Sequence, residues 1–122
     1  MTYTEGVGSG NEEVNVYTFL NGNLVSIVFT ASWGTYNYTH TYDDKNNPFR
    51  NIHQADMFAL TGNLSTPNNV STITQISGSD MGGNDEANTY TYNSEDYPVT
   101  STEVFALGTI DEETTTTDYF YE

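Results

Sequence analysis

Few side chains in this 122-residue chain have the chemistry to act on a ligand. His40 lies in the stretch Thr35–Tyr42, where period-two alternation puts it on one face with Tyr36, Tyr38 and Tyr42. An imidazole there is a candidate general base, or else a packed, hydrogen-bonded strand residue. His53 and Asp56 stand three apart, so a helix would bring them to one face. As metal ligands they need a third donor, and the sequence points to none. No Gly-x-Ser-x-Gly elbow is present. With no cysteine there is no thiol nucleophile, disulfide or zinc–thiolate site. No catalytic residue is assigned, and the chain reads as non-enzymatic.

Oxygen ligands are plentiful. Calcium takes six to eight oxygens from carboxylates, amides and backbone carbonyls. Asp80, Asp85 and Glu86 crowd a Gly-rich loop and are the leading calcium candidates; Asp43 and Asp44 crowd a second turn with Asn46 and Asn47. Neither follows EF-hand spacing. Asp and Asn also favour turns because they bond their own backbone, which is the structural reading of both clusters. Calcium is thus the one cofactor the composition suggests. Trp33, Tyr36 and Tyr38 are the candidate binding surface, since an exposed tryptophan among tyrosines could stack on a sugar ring, although core or edge packing is the commoner role of such residues.

These residues sit on strands. Val14–Leu20, Leu24–Ala31, Thr35–Tyr42, Val70–Ile76, Thr89–Asn93, Val99–Phe105 and Thr114–Tyr121 are rich in Val, Ile, Thr, Tyr and Phe. Asn21-Gly22 is a hairpin signal, because both residues tolerate positive φ. Residues 43–48, 93–98 and 107–113 read as further turns. One short helix is expected near 53–60, stopped at Gly62. Residues 1–11 are expected to form a flexible segment and 12–122 a single β domain. The expected fold is all-β: an antiparallel meander of about seven or eight strands, as a curled sheet or a sandwich.

Charge narrows the partners. The chain holds 17 acids against two bases, for a formal net charge of −15. Its cations, Lys45 and Arg50, lie with His40 and His53 in one stretch. Phosphate neutralisation needs cations, so direct nucleic-acid binding is excluded, as is docking on an anionic membrane. No apolar run approaches the roughly 18 residues of a membrane span. Most carboxylates have no ion-pair partner in the chain, and their repulsion strains the compact state.

Three turn regions are alike: 17–27, 42–52 and 90–100 each run from an aromatic through an Asn/Asp-rich turn to an apolar residue. They resemble the YD repeat of Rhs-type surface proteins. The string YDDKNNPFRNI at 42–52, Asn68-Asn69-Val70, Tyr90-Thr91-Tyr92-Asn93 with Tyr97-Pro98, and the ending Tyr119-Phe120-Tyr121-Glu122 resemble predicted cell-envelope lipoproteins of Bacteroidetes related to YD-repeat proteins. That resemblance spans roughly residues 12–122. It implies a secreted or surface-anchored domain in a binding or assembly role, held by an N-terminal lipid anchor absent from this chain. A protein or glycan at the cell surface would be its partner. Two alternatives stand beside it. One is an acidic inhibitor that mimics nucleic acid towards a basic protein; the other is a calcium-stabilised extracellular module.

Charge repulsion sets the first prediction. Raising sodium chloride from about 0.01 M to about 1 M cuts the screening length from about 30 Å to about 3 Å. The melting temperature should rise by about 4–8 °C, the equivalent of about 1 kcal/mol. A further rise with millimolar calcium at matched ionic strength, reversed by EDTA, would instead mark a specific calcium site.

Overall fold

The computed structural model describes residues 2–5, 13–50, 66–78 and 83–121. Among them eight strands form one sheet in sequence order: β1 (Thr2–Glu5), β2 (Glu13–Leu20), β3 (Asn23–Ala31), β4 (Gly34–Tyr42), β5 (Val70–Ser77), β6 (Glu86–Tyr92), β7 (Pro98–Phe105) and β8 (Glu113–Asp118). Every neighbouring pair is antiparallel. β1 and β8 are opposite edges, so the sheet is open. The all-β meander expected from the sequence is therefore the fold, as one sheet rather than two stacked sheets. β1 falls within the segment 1–11 and pairs with β2, Tyr3 opposite Asn15. The helix expected near 53–60 lies outside the described residues.

Strict alternation divides the side chains between two faces. On one face the register aligns Asn15, Phe29 and Tyr36 as a rung, and Tyr17, Ile27 and Tyr38 as the next. Farther across the sheet the same face carries His40, Ile73, Glu86, Asn88, Tyr90, Ser101, Glu103, Thr115 and Thr117. This is the tyrosine face. The opposite face carries rungs such as Thr18, Ser26, Thr39 and Thr74, and Thr89, Thr102 and Thr116. Cross-strand hydroxyls meet there: Thr41 and Thr72 at 2.7 Å, Thr91 and Thr100 at 2.6 Å. Along the paired rungs of this threonine face only Asp118 carries a charge.

Turn chemistry sets the register. Asn21 and Gly22 adopt φ of 52° and 83° and close β2 onto β3 in two residues. A Cβ on Gly22 would lie 2.9 Å from Pro67, so the turn also needs glycine for space. Ser32 and Trp33 close β3 onto β4. In the turn at 93–97 the Asn93 side chain accepts from the backbone N–H of Glu95 and of Tyr97, both at 3.0 Å.

Among the described residues the buried apolar side chains are Leu24, Val70, Pro98 and Ala106, whereas Asn23, Asn47, Thr66, Asn69, Gln75, Ser101 and His40 are buried polar groups. Buried amides demand partners, and Asn23, Asn47 and Asn69 find them in one polar knot at the end of β4 and the start of β5. Asp43 Oδ1 accepts the backbone N–H of Lys45 at 3.0 Å and of Asn69 at 3.1 Å. Its Oδ2 accepts Asn69 Nδ2 at 3.1 Å and the Tyr92 hydroxyl. Asn69 Nδ2 also donates to Asn46 O at 3.2 Å. Asn68 Nδ2 donates to Lys45 O at 2.9 Å, and Asn23 Nδ2 donates to Asn68 Oδ1 at 3.0 Å. Tyr42 and Tyr90 hydroxyls donate to Leu24 O at 2.7 Å and Val70 O at 2.8 Å. Strands β3 to β6 are thereby joined beyond their ladders.

Removing the acceptor leaves several donors unsatisfied, at about 1–3 kcal/mol for a buried group. Asp43→Ala should therefore lower unfolding free energy by about 2–4 kcal/mol in urea titration. Tyr92→Phe, which removes one donor, should cost about 1 kcal/mol. Equal, small losses in both variants would refute Asp43 as the organising acceptor.

Candidate binding sites on the tyrosine face

Among the described residues two cavities open on the tyrosine face, one over β2–β4 and one over β5–β8. The first spans β2, β3 and β4. Its floor is the two rungs Asn15–Phe29–Tyr36 and Tyr17–Ile27–Tyr38, and Trp33 closes one end from the β3–β4 turn. The groove holds about 480 Å³. Trp33 stands 5.4 Å from Phe29 and 5.3 Å from Tyr36, ring centre to ring centre, tilted by 48° and 59°. Phe29 and Tyr36 are 6.1 Å apart. Tilted contacts at these distances are favourable quadrupole geometries, so the rings brace one another. Trp33 nevertheless remains 64% exposed. None of the seven lining residues carries a charge.

Glycine positions the floor. A Cβ on Gly78, at φ 119°, would sit 2.5 Å from Tyr36 Cδ1 and 2.9 Å from Gln75 Nε2. A Cβ on Gly34 would touch the same ring at 3.4 Å. Tyr36 therefore lies against both glycines, and at Gly78 its ring fills the space a side chain would occupy.

The second cavity, about 350 Å³, spans β5 to β8 and the start of the β4–β5 loop. Glu86, Glu103, Tyr90, Ser101 and Tyr119 are among its lining residues. Ser101 Oγ and the Tyr119 hydroxyl lie 3.2 Å apart. Glu86 Oε1 accepts Asn88 Nδ2 at 2.8 Å. Burial, and then the nearby Glu86 carboxylate, push the Glu103 carboxyl above its ordinary range. Burial likewise raises the Tyr90 phenol.

The structure places Trp33, Tyr36 and Tyr38 along one groove. It adds Phe29, Tyr17, Ile27 and Asn15, which strand alternation alone places on that face but which only the register brings alongside. Asp80 lies outside the described residues. Asp85 Oδ1 accepts the backbone N–H of Gln75 at 2.8 Å, tying β5 to the loop before β6. Glu86 belongs to the second cavity. Asp43 is engaged by N–H and O–H donors, and Asp44 is 90% exposed at 3.9 Å from Lys45 Nζ. Among the described residues no three His, Asp or Glu side chains stand close enough to hold a metal ion. His40 is buried, its Nδ1 makes no hydrogen bond, and burial lowers its pKa.

Comparison with models of known protein families, with curated proteins and with solved structures finds no match. The sites are therefore read from their own chemistry.

Glu103 gives a pH test with a definite sign. Its folded-state pKa lies above the unfolded value near 4.5, so its ionised form penalises folding. That penalty is complete above the folded pKa and fades as pH falls towards 4.5. Glu103→Gln should raise the melting temperature at pH 7–8, with the gain disappearing near pH 4. A gain independent of pH would show that the carboxylate charge is not its source.

Proposed function

We infer that this chain is a non-enzymatic β domain of the cell envelope that works by binding, and that the groove of Phe29, Trp33, Tyr36 and Tyr38 is its contact surface. One observation carries the reading: an uncharged aromatic groove keeps a large, mostly exposed tryptophan on a chain of net charge −15. Exposed aromatic surface of this kind is unfavourable in water and is characteristic of binding sites. Phe29, Tyr36 and Tyr38 stand on strands paired on both sides, and Phe29, Trp33 and Tyr36 contact one another, which limits the order to be gained on binding. The envelope setting follows the resemblance of residues 42–52 and 90–98 to surface lipoproteins. The partner is a molecule presented at the cell surface, a protein or a glycan.

The test is adsorption of the purified domain to isolated bacterial envelopes. Wild-type protein should bind saturably, and Trp33→Ala/Tyr36→Ala should lose at least about tenfold in affinity, the equivalent of about 1.4 kcal/mol. Adsorption unchanged in the double variant would sink the groove as the contact surface.

A further inference from the structure

We propose that the aromatic groove is a subsite for a neutral carbohydrate chain, about two sugar rings long. This deepens the reading above and rests on the groove being the binding surface. The first argument is dimension. The floor is two rungs deep and three strands wide; strand geometry makes that ~7 Å along the strands and ~10 Å across them. A footprint of that shape takes two linked pyranose rings laid across the strands. It is too short for an amphipathic helix and offers no free strand edge, because β3 is paired on both sides.

The second argument is chemistry. A pyranose presents a flat patch of C–H groups and a rim of hydroxyls. Phe29 and Ile27 give the floor an apolar centre, and Trp33 stands as an exposed ring at one end. Asn15, Tyr17, Tyr36 and Tyr38 place an amide and three phenol groups around that centre. The pattern is an apolar surface with polar groups at its margin, the complement of a sugar face.

The third argument is charge. No side chain of the groove is ionised, and the chain as a whole repels anions. Acidic glycans are thereby disfavoured. A cationic partner would be drawn to the carboxylates of the acidic turns and of the second cavity, not to this groove. A neutral ligand is the class whose binding neither depends on charge nor is opposed by it.

Isothermal titration calorimetry with cellotriose, maltotriose, mannotriose and N-acetylchitotriose tests the proposal, with trigalacturonate as the anionic control. Trp33 is the single tryptophan, so its emission reports occupancy in parallel. At least one neutral trisaccharide should bind saturably, with affinity unchanged by sodium chloride and in Glu103→Gln. Binding should weaken at least about tenfold in Trp33→Ala, the size of one lost stacking contact, and less in Trp33→Phe. Tyr17→Ala, a change on another strand, should weaken it too, which guards against one variant failing to fold. Absence of heat with all four neutral sugars, or equal binding of trigalacturonate, would overturn the carbohydrate assignment. If Trp33-dependent envelope adsorption persisted in that case, the groove would still be the contact surface, with a different ligand. If that dependence were absent too, both readings would fall.

Discussion

The contact between the Asp43 carboxylate and Asn69 is the constraint on which the rest of the sheet depends. Each partner meets the other through both backbone and side chain: Asp43 N donates to Asn69 O at 3.0 Å, and Asp43 Oδ1 accepts Asn69 N at 3.1 Å. They stand where β4 ends and β5 begins, so they fix the return of the chain after its longest connection. Tyr92 brings β6 to the same carboxylate, and Asn23 brings β3 to the neighbouring Asn68. A polar anchor of this kind needs every member satisfied, because a half-satisfied buried network costs more than an apolar one. Among the described residues few apolar side chains are deeply buried, which leaves directional bonds to specify the register that a larger core would otherwise enforce.

The two faces answer the same shortage of cations in different ways. Like charges directly opposite one another on a sheet are destabilising, and this chain cannot pair them with Lys or Arg. Lys45 is committed to Asp96 at 3.0 Å and Arg50 to Asn46. Threonine fills the exposed rungs instead: it favours strands, keeps a solvated hydroxyl and bonds across the ladder. The carboxylates are left to turns, strand ends and the second cavity. There the adjacency of Glu86 and Glu103 is a local cost, of the sort that binding surfaces often retain.

Strand positions were legible because period-two alternation of Tyr, Thr, Val and Ile is strong from Val14 to Tyr121. The Asn21-Gly22 turn was legible because few other dipeptides accept two positive φ values. The groove was half legible. Alternation places Tyr36 and Tyr38 on one face, and Trp33 falls at a turn. That Phe29 and Tyr17 join them depends on register, which arises from turn lengths and bulges and not from any single segment. The knot was not legible. Asn23, Asn47, Asn68 and Asn69 look like ordinary turn residues, and Asp43 looks like an oxygen donor for a cation. Their pairing joins positions 21 to 45 apart in sequence, a separation over which no local pattern carries information. Short motifs such as Asn68-Asn69-Val70 could have flagged the site only through the density of amides.

The simple strand order has a mechanical consequence. Each strand touches its predecessor and its successor and makes few contacts elsewhere, so the sheet transmits cooperativity in one dimension, as stacked repeats do. In such a chain, disorder enters from the ends and is arrested where cross-links are densest. The outer hairpins can loosen by turns while β4, β5 and β6 stay in register. Loss or gain of a terminal hairpin would then leave the interior of the sheet intact, and its length is a quantity that can drift while its anchor cannot.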